Sequence, residues 1–358
     1  MQTNITAKQK SVYDFIVGFI ANKGRSPALE EIAKHFRKTA PTIHTYIHIL
    51  IQRGYLKQET GKRGFSISKN NTANTSNRNF NIGIIGYGIV GQAVQYGFSR
   101  YNIYIYDKYK NYESLEDVVV KSDYIFICLP TPVKANESGI DLAIMDDNIK
   151  KIAKLTNGTD KIIIIKSTIV PGTTGRYSKK YPKTIFAFNP EFLRESSFLQ
   201  DFINSDRIVV GAKNDQVFRK ISSLYQSIMP ATPIFYTDPT TAEMVKYMAN
   251  CYLATKIIFA NEMYDICKRL KIKYEEVKKM VTADSRIKDT HLDVTTLRGF
   301  GGKCFPKDLL ALKHLAKTLK VDTEILDAVW SKNIKLRTVH DWKEIPFAVS
   351  DSSFGNKS

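Results

Sequence analysis

Near the start of the chain, apolar residues recur at Val12, Phe15, Ile16 and Phe19, the stripe of an amphipathic helix that ends near Gly24. Ser26 and Pro27 offer an N-cap and a first-turn proline for a second helix, ALEEIAKHF. Thr39 or Ala40 with Pro41 begins a third, PTIHTYIHILIQRG, closed by Gly54. YLKQETGKRGFSIS then alternates about a Gly61 turn, which predicts a short hairpin. From Ser68 to Asn79 the pattern stops. SKNNTANTSNRN has Ala73 as its one apolar residue, too little to offset the entropy of ordering, so residues 69–79 read as a flexible linker. After it, NFNIGIIG, YNIYIYD, DYIFICLP, KIIIIKS, TIFAFNP and RIVVG are short apolar runs separated mostly by helical stretches, the pattern of buried strands in a parallel sheet. From about Thr240 the strands stop, and TAEMVKYMANCYLATKIIFANEMYDICKRL is one long helical run.

These elements predict a multi-domain α/β protein. A winged helix-turn-helix occupies 1–68, a Rossmann-type parallel sheet 80–238, an all-helical domain 239–338 and a tail 339–358. Charge sharpens the division. Of the net +18 over 358 residues, residues 1–78 hold 13 Lys and Arg against 4 Asp and Glu, a net +9; the other 280 hold 40 against 31, again +9. The dense half thus sits on the small basic unit, as a nucleic-acid partner requires, although basic charge also merely solubilises surfaces and winged helices also serve protein contacts. The four cysteines, Cys128, Cys251, Cys267 and Cys304, are too few and too scattered for a disulfide scaffold or a zinc knuckle, so a reduced compartment is expected. His44 and His48 share a helical face without Cys or acidic partners at ligand spacing, so no metal is expected. With no apolar run of membrane length and no signal-peptide core at the start, a cytoplasmic location is expected.

Candidate chemistry begins at Gly86, Gly88 and Gly91. They follow the strand NIGII directly and open a helix, with Asp107 closing the next strand 21 residues after Gly86. Such glycines allow a tight turn and close approach of the backbone to a pyrophosphate at the helix N-terminus, while the acid binds a ribose diol. Asp107 would repel a 2′-phosphate, so NAD is preferred to NADP.

Downstream lie LPTP around Thr131, KSTIVPGTTGR from Lys166, FNPEFLRES from Phe188, DRIVVG from Asp206, AEMVKYMANCYLATKIIFANE from Ala242 and GFGGKCFPKD from Gly299. In this order and spacing, from about Phe80 to Ala316, they resemble the UDP-glucose/GDP-mannose dehydrogenase family. The resemblance implies oxidation of a nucleotide sugar, UDP-glucose first, at C6 from alcohol to acid. It makes Cys304 the nucleophile that captures the aldehyde, as thiohemiacetal and then thioester. Lys303 and Lys307 beside Cys304 are expected to favour its thiolate. Lys246 assists proton transfer, Asn250 binds sugar and oxyanion, and Asp308 works with the lysine through a water. Glu191 serves thioester hydrolysis, and Thr131 sits between cofactor and catalytic water. Cofactor contacts extend over Gly86, Tyr87, Gly88, Ile89, Val90, Gly91, Asp107, Thr131, Thr168 and Glu195, the last near the nicotinamide ribose. Substrate contacts comprise Glu191, Lys246, Asn250, Phe300, Gly301 and Arg286, an arginine expected to reach a partner subunit's substrate across a homodimer. Read without the resemblance, Glu191 and Glu195 are acids at a helix start and Lys246 and Arg286 lie on solvated faces. Two departures stand out. Ser196 replaces a glycine common in the family, and only 50 residues follow Asp308, so the family's C-terminal nucleotide-sugar domain is not expected in this chain.

PTIHTYIHILIQRGYL, preceded by SPALEEIAKHF and TAKQKSVYDFI, resembles the DNA-binding domain of LexA-type repressors. The resemblance places Thr42, His44 and Thr45 at base edges in the major groove and Lys62 and Arg63 on phosphates. The combined expectation is an NAD-dependent dehydrogenase carrying a DNA-binding module. The alternative is a transcription regulator whose dehydrogenase-like part senses NAD or a nucleotide sugar without turnover.

Overall fold

The computed structural model describes residues 7–23, 25–52, 55–58, 65–67 and 80–350. The chain forms two compact units that divide between Arg78 and Asn79. The first contains helices α1 (Ala7–Lys23), α2 (Leu29–Phe36) and α3 (Ala40–Gln52), then strands β1 (Leu56–Gln58) and β2 (Phe65–Ile67). The strands pair antiparallel with Leu56 opposite Ile67, the predicted hairpin. One core joins Val12 and Ile16 of α1, Ile32 and Ala33 of α2, Ile43, Ile47 and Leu50 of α3, and Leu56. Each such fully buried aliphatic side chain stabilises by about 1.5–3 kcal/mol.

The cap of α2 differs from expectation. Ala28 is the N-cap, and the Ser26 hydroxyl bonds the Pro27 carbonyl instead of a helix N–H. Glu31 supplies the cap from inside the helix: its carboxylate accepts the Ala28 N–H at 2.7 Å and pairs with Arg25 at 2.7 Å. Ala40 with Pro41 opens α3 as the pattern predicts. The Gly24, Gly54 and Gly61 positions, Lys62, Arg63 and the linker 69–79 lie outside the described residues.

The second unit alternates β3 (Asn81–Ile85), α4 (Ile89–Gly97), β4 (Asn102–Tyr106), α5 (Leu115–Lys121), β5 (Tyr124–Ile127), a short β6 (Val133–Lys134), α6 (Ala143–Leu155), β7 (Ile162–Ile165), α7 (Thr173–Lys180), β8 (Ile185–Phe188), α8 (Phe198–Ile203), β9 (Ile208–Ala212), α9 (Asp215–Gln226) and β10 (Ile234–Thr237). Helices α10 (Pro239–Leu270), α11 (Tyr274–Val281), α12 (Cys304–Thr318) and α13 (Glu324–Leu336) follow, then a 3₁₀ turn (Asp341–Lys343) and β11 (Val349–Ser350).

Seven strands form one sheet in the order β10-β9-β8-β7-β5-β3-β4. All six predicted runs are strands, and β4, β3, β5, β7 and β8 are parallel. The sheet is nevertheless mixed, because β9 runs antiparallel to β8 and β10 parallel to β9. Between β8 and β9 the chain forms the Glu191 loop and the six-residue α8, whose Phe202 lies against Gly97 of α4. It makes no long helical crossover of the kind that returns a strand in parallel. Strand β10 escaped prediction because its apolar run, Ile234 to Tyr236, is only three residues long; at the sheet edge Phe235 and Tyr236 are left exposed. Central strands β5 and β7 are buried at every position, which is why YIFI and IIII read as unbroken apolar segments.

Helix α10 is capped by Asp238, which accepts the Thr241 N–H at 3.0 Å, and Pro239 stands in its first turn. Its inner face packs on α12 and α13 through Cys251, Ala254, Ile258, Leu309, Val329 and Trp330. The tail packs back onto this layer. Trp342 is buried beside Trp330, and Val349 pairs with Val133 of β6. Among the described residues, no helix is long and apolar enough to cross a membrane.

Candidate active site

The strand order reverses at β3, with β4 on one side and β5 on the other, so a crevice opens at their carboxyl ends. Gly86 lies there with φ +93°, and a Cβ on it would approach the Cys128 carbonyl oxygen to 2.6 Å. A Cβ on Gly91 would meet the Gly86 oxygen at 2.2 Å, so the turn closes on itself only with glycine at both positions. Gly88 is the N-cap of α4 with no side-chain cap and open space above it, and Ile89 and Val90 form the first turn. The first amides of α4 therefore face a gap of the kind that receives a pyrophosphate. Asp107 accepts the Tyr87 N–H at 2.8 Å and the Tyr109 N–H at 3.0 Å, one on each carboxylate oxygen. Each oxygen keeps lone-pair capacity for a ribose hydroxyl. Thr131 donates to the Thr168 carbonyl at 2.7 Å, so two predicted cofactor contacts are tied together, both buried. These residues fit a bound dinucleotide.

The chemistry gathers where α10 and α12 meet the loop after β8. Lys246 is 3% exposed, and its Nζ donates to the Glu191 carbonyl at 2.7 Å and to Glu191 Oε1 at 2.8 Å. Burial alone would lower the Lys246 ammonium, but Glu191, Cys304 and Asp308 around it raise it above the ordinary lysine value. Burial likewise pushes Glu191 up, but Lys246, the Leu193 N–H and Lys166 bring it below the usual carboxylate value. One turn further along α10, Asn250 donates to Asp308 Oδ2 at 2.6 Å, and Lys307 holds Oδ1 of the same fully buried carboxylate at 2.5 Å.

Cys304 is the first residue of α12, partly exposed and within electrostatic reach of Lys246, Glu191, Asp308 and Lys307. The expectation that nearby lysines favour its thiolate is corrected here. Burial pushes the thiol up to about 11, and the two acids add to that, so the pull of Lys246 and Lys307 does not prevail. Cys251 and Cys267 are buried, as expected of core residues.

Other predicted residues are not gathered into this cluster. Glu195 is exposed, and the segment 191–194 that precedes it is loop, so neither glutamate starts a helix. Arg286 is exposed and pairs with Asp284 at 2.6 Å. The Phe300 ring is core, against Phe305 and Trp330, while its N–H and carbonyl are both taken by Asn333. Gly301 is fitted tightly beside Asp341 and Arg337. In the first unit, His44 and Thr45 are exposed; Thr45 bonds the Pro41 carbonyl at 3.0 Å and Thr42 meets Thr39 at 2.9 Å.

Sequence reasoning missed Lys166, and it placed Glu243 one turn before Lys246 on the long helix without giving it a role. The Lys166 ammonium is buried, donates to Asn189 Oδ1 at 2.7 Å, and is pushed down to about 8 by that burial. A cation directly after the four isoleucines of KIIIIKS was the available signal. Glu243, fully buried, accepts the N–H of Gly172 at 2.5 Å and of Thr174 at 2.9 Å, so it ties the start of α7 to α10.

A sheet with a glycine turn at its switch point, followed by a helical layer that brings Lys, Glu, Asn, Asp and Cys together, defines a dinucleotide-binding fold of the dehydrogenase class. Residues 102–229 match the NAD binding domain of the UDP-glucose/GDP-mannose dehydrogenase family and residues 240–335 its central domain. The chain belongs to this family, and its cofactor is NAD. The glycine turn lies upstream of the matched stretch and stands on its geometry. Residues 2–64 match the LexA DNA binding domain. UDP-glucose 6-dehydrogenase of Rickettsia typhi is 39% identical over 221 residues, 60% of this chain and 50% of that protein. The Bacillus subtilis enzyme of the same name is 36% identical over 231 residues, 62% and 51%. The chain thus spans about half the length of these relatives. A UDP-glucose dehydrogenase structure from Pyrobaculum islandicum superposes with TM-score 0.65 at 29% identity, over 72% of this chain and 69% of that one.

Proposed function

We propose that the part of the chain from residue 80 onward oxidises the C6 alcohol of a nucleotide sugar, UDP-glucose foremost, to the carboxylate, and that residues 1–68 dock the chain on double-stranded DNA. The observation that carries the first half is the buried Lys246–Glu191 pair set among Asn250, Asp308 and Cys304. Gly86 to Gly91, Asp107, Thr131 and Thr168 would hold NAD, which when bound would supply the hydride acceptor for the C6 carbon. Lys246 steadies the developing alkoxide while Asp308 takes the hydroxyl proton through a water, and Asn250 holds the sugar oxygen. Cys304 Sγ then adds to the aldehyde carbon, whose oxygen gains a proton, giving a thiohemiacetal. As the thiohemiacetal hydroxyl gives up its proton and the carbon a second hydride, a thioester remains. Glu191 directs water onto that carbon, the C–S bond breaks, sulfur regains a proton and the carboxylate leaves. Two NAD are reduced per sugar, and water supplies the added oxygen.

Glu195 and Arg286, exposed in the single chain, are assigned to the nicotinamide ribose and to a partner subunit's substrate. A homodimer is supported by α10, where Met244, Met248, Tyr252, Phe259, Ile266 and Leu270 are exposed along one face. That stripe runs about 39 Å at the helical rise. Four free cysteines suit a cytoplasmic setting. The DNA-binding reading rests on the match over residues 2–64 and on exposed His44 and Thr45 near the start of α3, one turn of helix from Thr42; Lys62 and Arg63 are assigned to phosphates from the sequence. The alternative is a sensing regulator without turnover, a reading on whose side stands the burial that raises the Cys304 thiol.

NADH formation with UDP-glucose, GDP-mannose and related sugars separates the two readings. Two NADH per sugar, absent in Cys304→Ala, is the expected result. Silence with every sugar, alongside measurable NAD binding, supports the sensor. For the module, salt-dependent binding to a palindromic duplex is expected to vanish when residues 1–68 are deleted, with NADH formation retained.

A further inference from the structure

The family match ends at residue 335, yet the chain beyond it grips the loop that carries Cys304. Arg337 is buried at 6% exposure; its Nη1 donates to the Arg298 carbonyl at 3.0 Å and its Nη2 pairs with Asp341 Oδ2 at 3.1 Å. Asp341 Oδ2 also accepts the Gly302 N–H at 3.2 Å. Between these anchors a Cβ on Gly301 would lie 2.2 Å from Asp341 Oδ1 and 2.4 Å from Arg337 Nη2, so the backbone is seated directly on the pair. Gly299 and Gly302 both have positive φ, at +52° and +71°, a sharply bent loop that needs outside support. Trp342, buried against Trp330, fixes the segment that presents Asp341.

We propose that Arg337 and Asp341 are positioning residues for the Cys304 thiol, clamping both ends of the turn 298–302 so that Sγ is held at the start of α12 facing Lys246. A charged clamp suits this task because it holds a carbonyl and an N–H at once, and hydrogen bonds to ionised groups are the stronger kind. The inference rests on the reading of Cys304 as nucleophile, but the thiol reports on the clamp without any turnover. Loosening the turn admits water to a thiol that burial had raised, so a small alkylating agent reacts faster while the sulfur loses its aim at substrate.

The test is peptide-resolved iodoacetamide labelling of the full chain across pH, with Cys128 as internal control and kcat and KM taken wherever a sugar is oxidised. In Asp341→Ala and Arg337→Met, Cys304 labelling near neutral pH is expected to rise about tenfold, the equivalent of one pKa unit. Cys128 labelling should stay unchanged, and kcat should fall with KM little moved. Asp341→Asn, which keeps an oxygen for the Gly302 N–H, should fall between wild type and Asp341→Ala. It and Arg337→Lys carry the test if the harsher variants do not fold. Unchanged Cys304 labelling in all variants, or Cys128 accelerating in step with it, overturns the proposal. If wild type oxidises no sugar, the enzymatic reading fails, while the labelling arm still decides the clamp.

Discussion

Lys246 and Glu191 hold each other in their charged forms inside the protein, and this couples stability to pH. Glu191 is depressed, so its contribution is present above the unfolded value of 4.5 and lost as pH falls through its lower folded value. Lys246 is raised, so its contribution is fully present below 10.5 and lost as pH rises through its higher folded value. Lys246→Met strands a buried carboxylate and is expected to cost about 3–5 kcal/mol near neutral pH. Because the stranded Glu191 then titrates above its ordinary value, part of that loss should return at mildly acid pH. Urea midpoints for Lys246→Met and for Lys246→Met with Glu191→Gln check this: the double variant should be the more stable at neutral pH and should lose the acid recovery. Half of this site was legible along the chain. Lys246 with Asn250, and Cys304 with Asp308, each stand four apart and share a helical face. That Glu191 closes the cluster depends on where a loop after β8 comes to rest, which no local spacing encodes.

At the scale of elements, the glycine turn was readable because its need is local. Gly91→Ala places a Cβ 2.2 Å from the Gly86 oxygen, backbone against backbone, and is expected to cost about 1–3 kcal/mol and to weaken NAD binding. A calorimetric NAD titration beside a thermal melt checks both, and Gly88→Ala, with nothing within 4 Å of its added Cβ, is the control for crowding in the melt alone, since Gly88 also faces the cofactor gap. The reversal of β9 and the α2 cap were not readable. An apolar run such as RIVVG carries no sign of direction, and the Ala28 cap comes from Glu31, whose carboxyl is held down to about 2 by the Arg25 hydrogen bond and the Ala28 N–H.

Over the whole molecule, the +18 charge splits evenly between 78 residues and 280, and most of the dense half, +7 from 11 Lys and Arg against 4 Asp and Glu, lies within the DNA-binding match 2–64. The larger unit leaves α10 with apolar side chains in water, Met248 and Tyr252 at 68% and 64% exposure. Tyr252→Glu combined with Phe259→Glu is expected to yield a monomer by sedimentation, with little change in melting temperature of the separated chain, since both side chains are exposed within it. If Arg286 serves a partner's substrate, the same variant should also lose NADH formation.

By itself the sequence determined what depends on period and neighbouring residues: the helices and most strands, the glycine turn with its acid, and the shared helical faces of Lys246 with Asn250 and of Cys304 with Asp308. Tertiary structure alone decided what depends on distant segments meeting. It set the sign of the Cys304 shift, because burial is a property of the packed α10–α12 layer, whereas the charges of Lys303 and Lys307 are visible in the chain. It also brought Arg337 and Asp341 back onto Gly301, a contact made by a segment that reads as a tail, since hydrogen bonds between residues 39 positions apart leave no periodic trace.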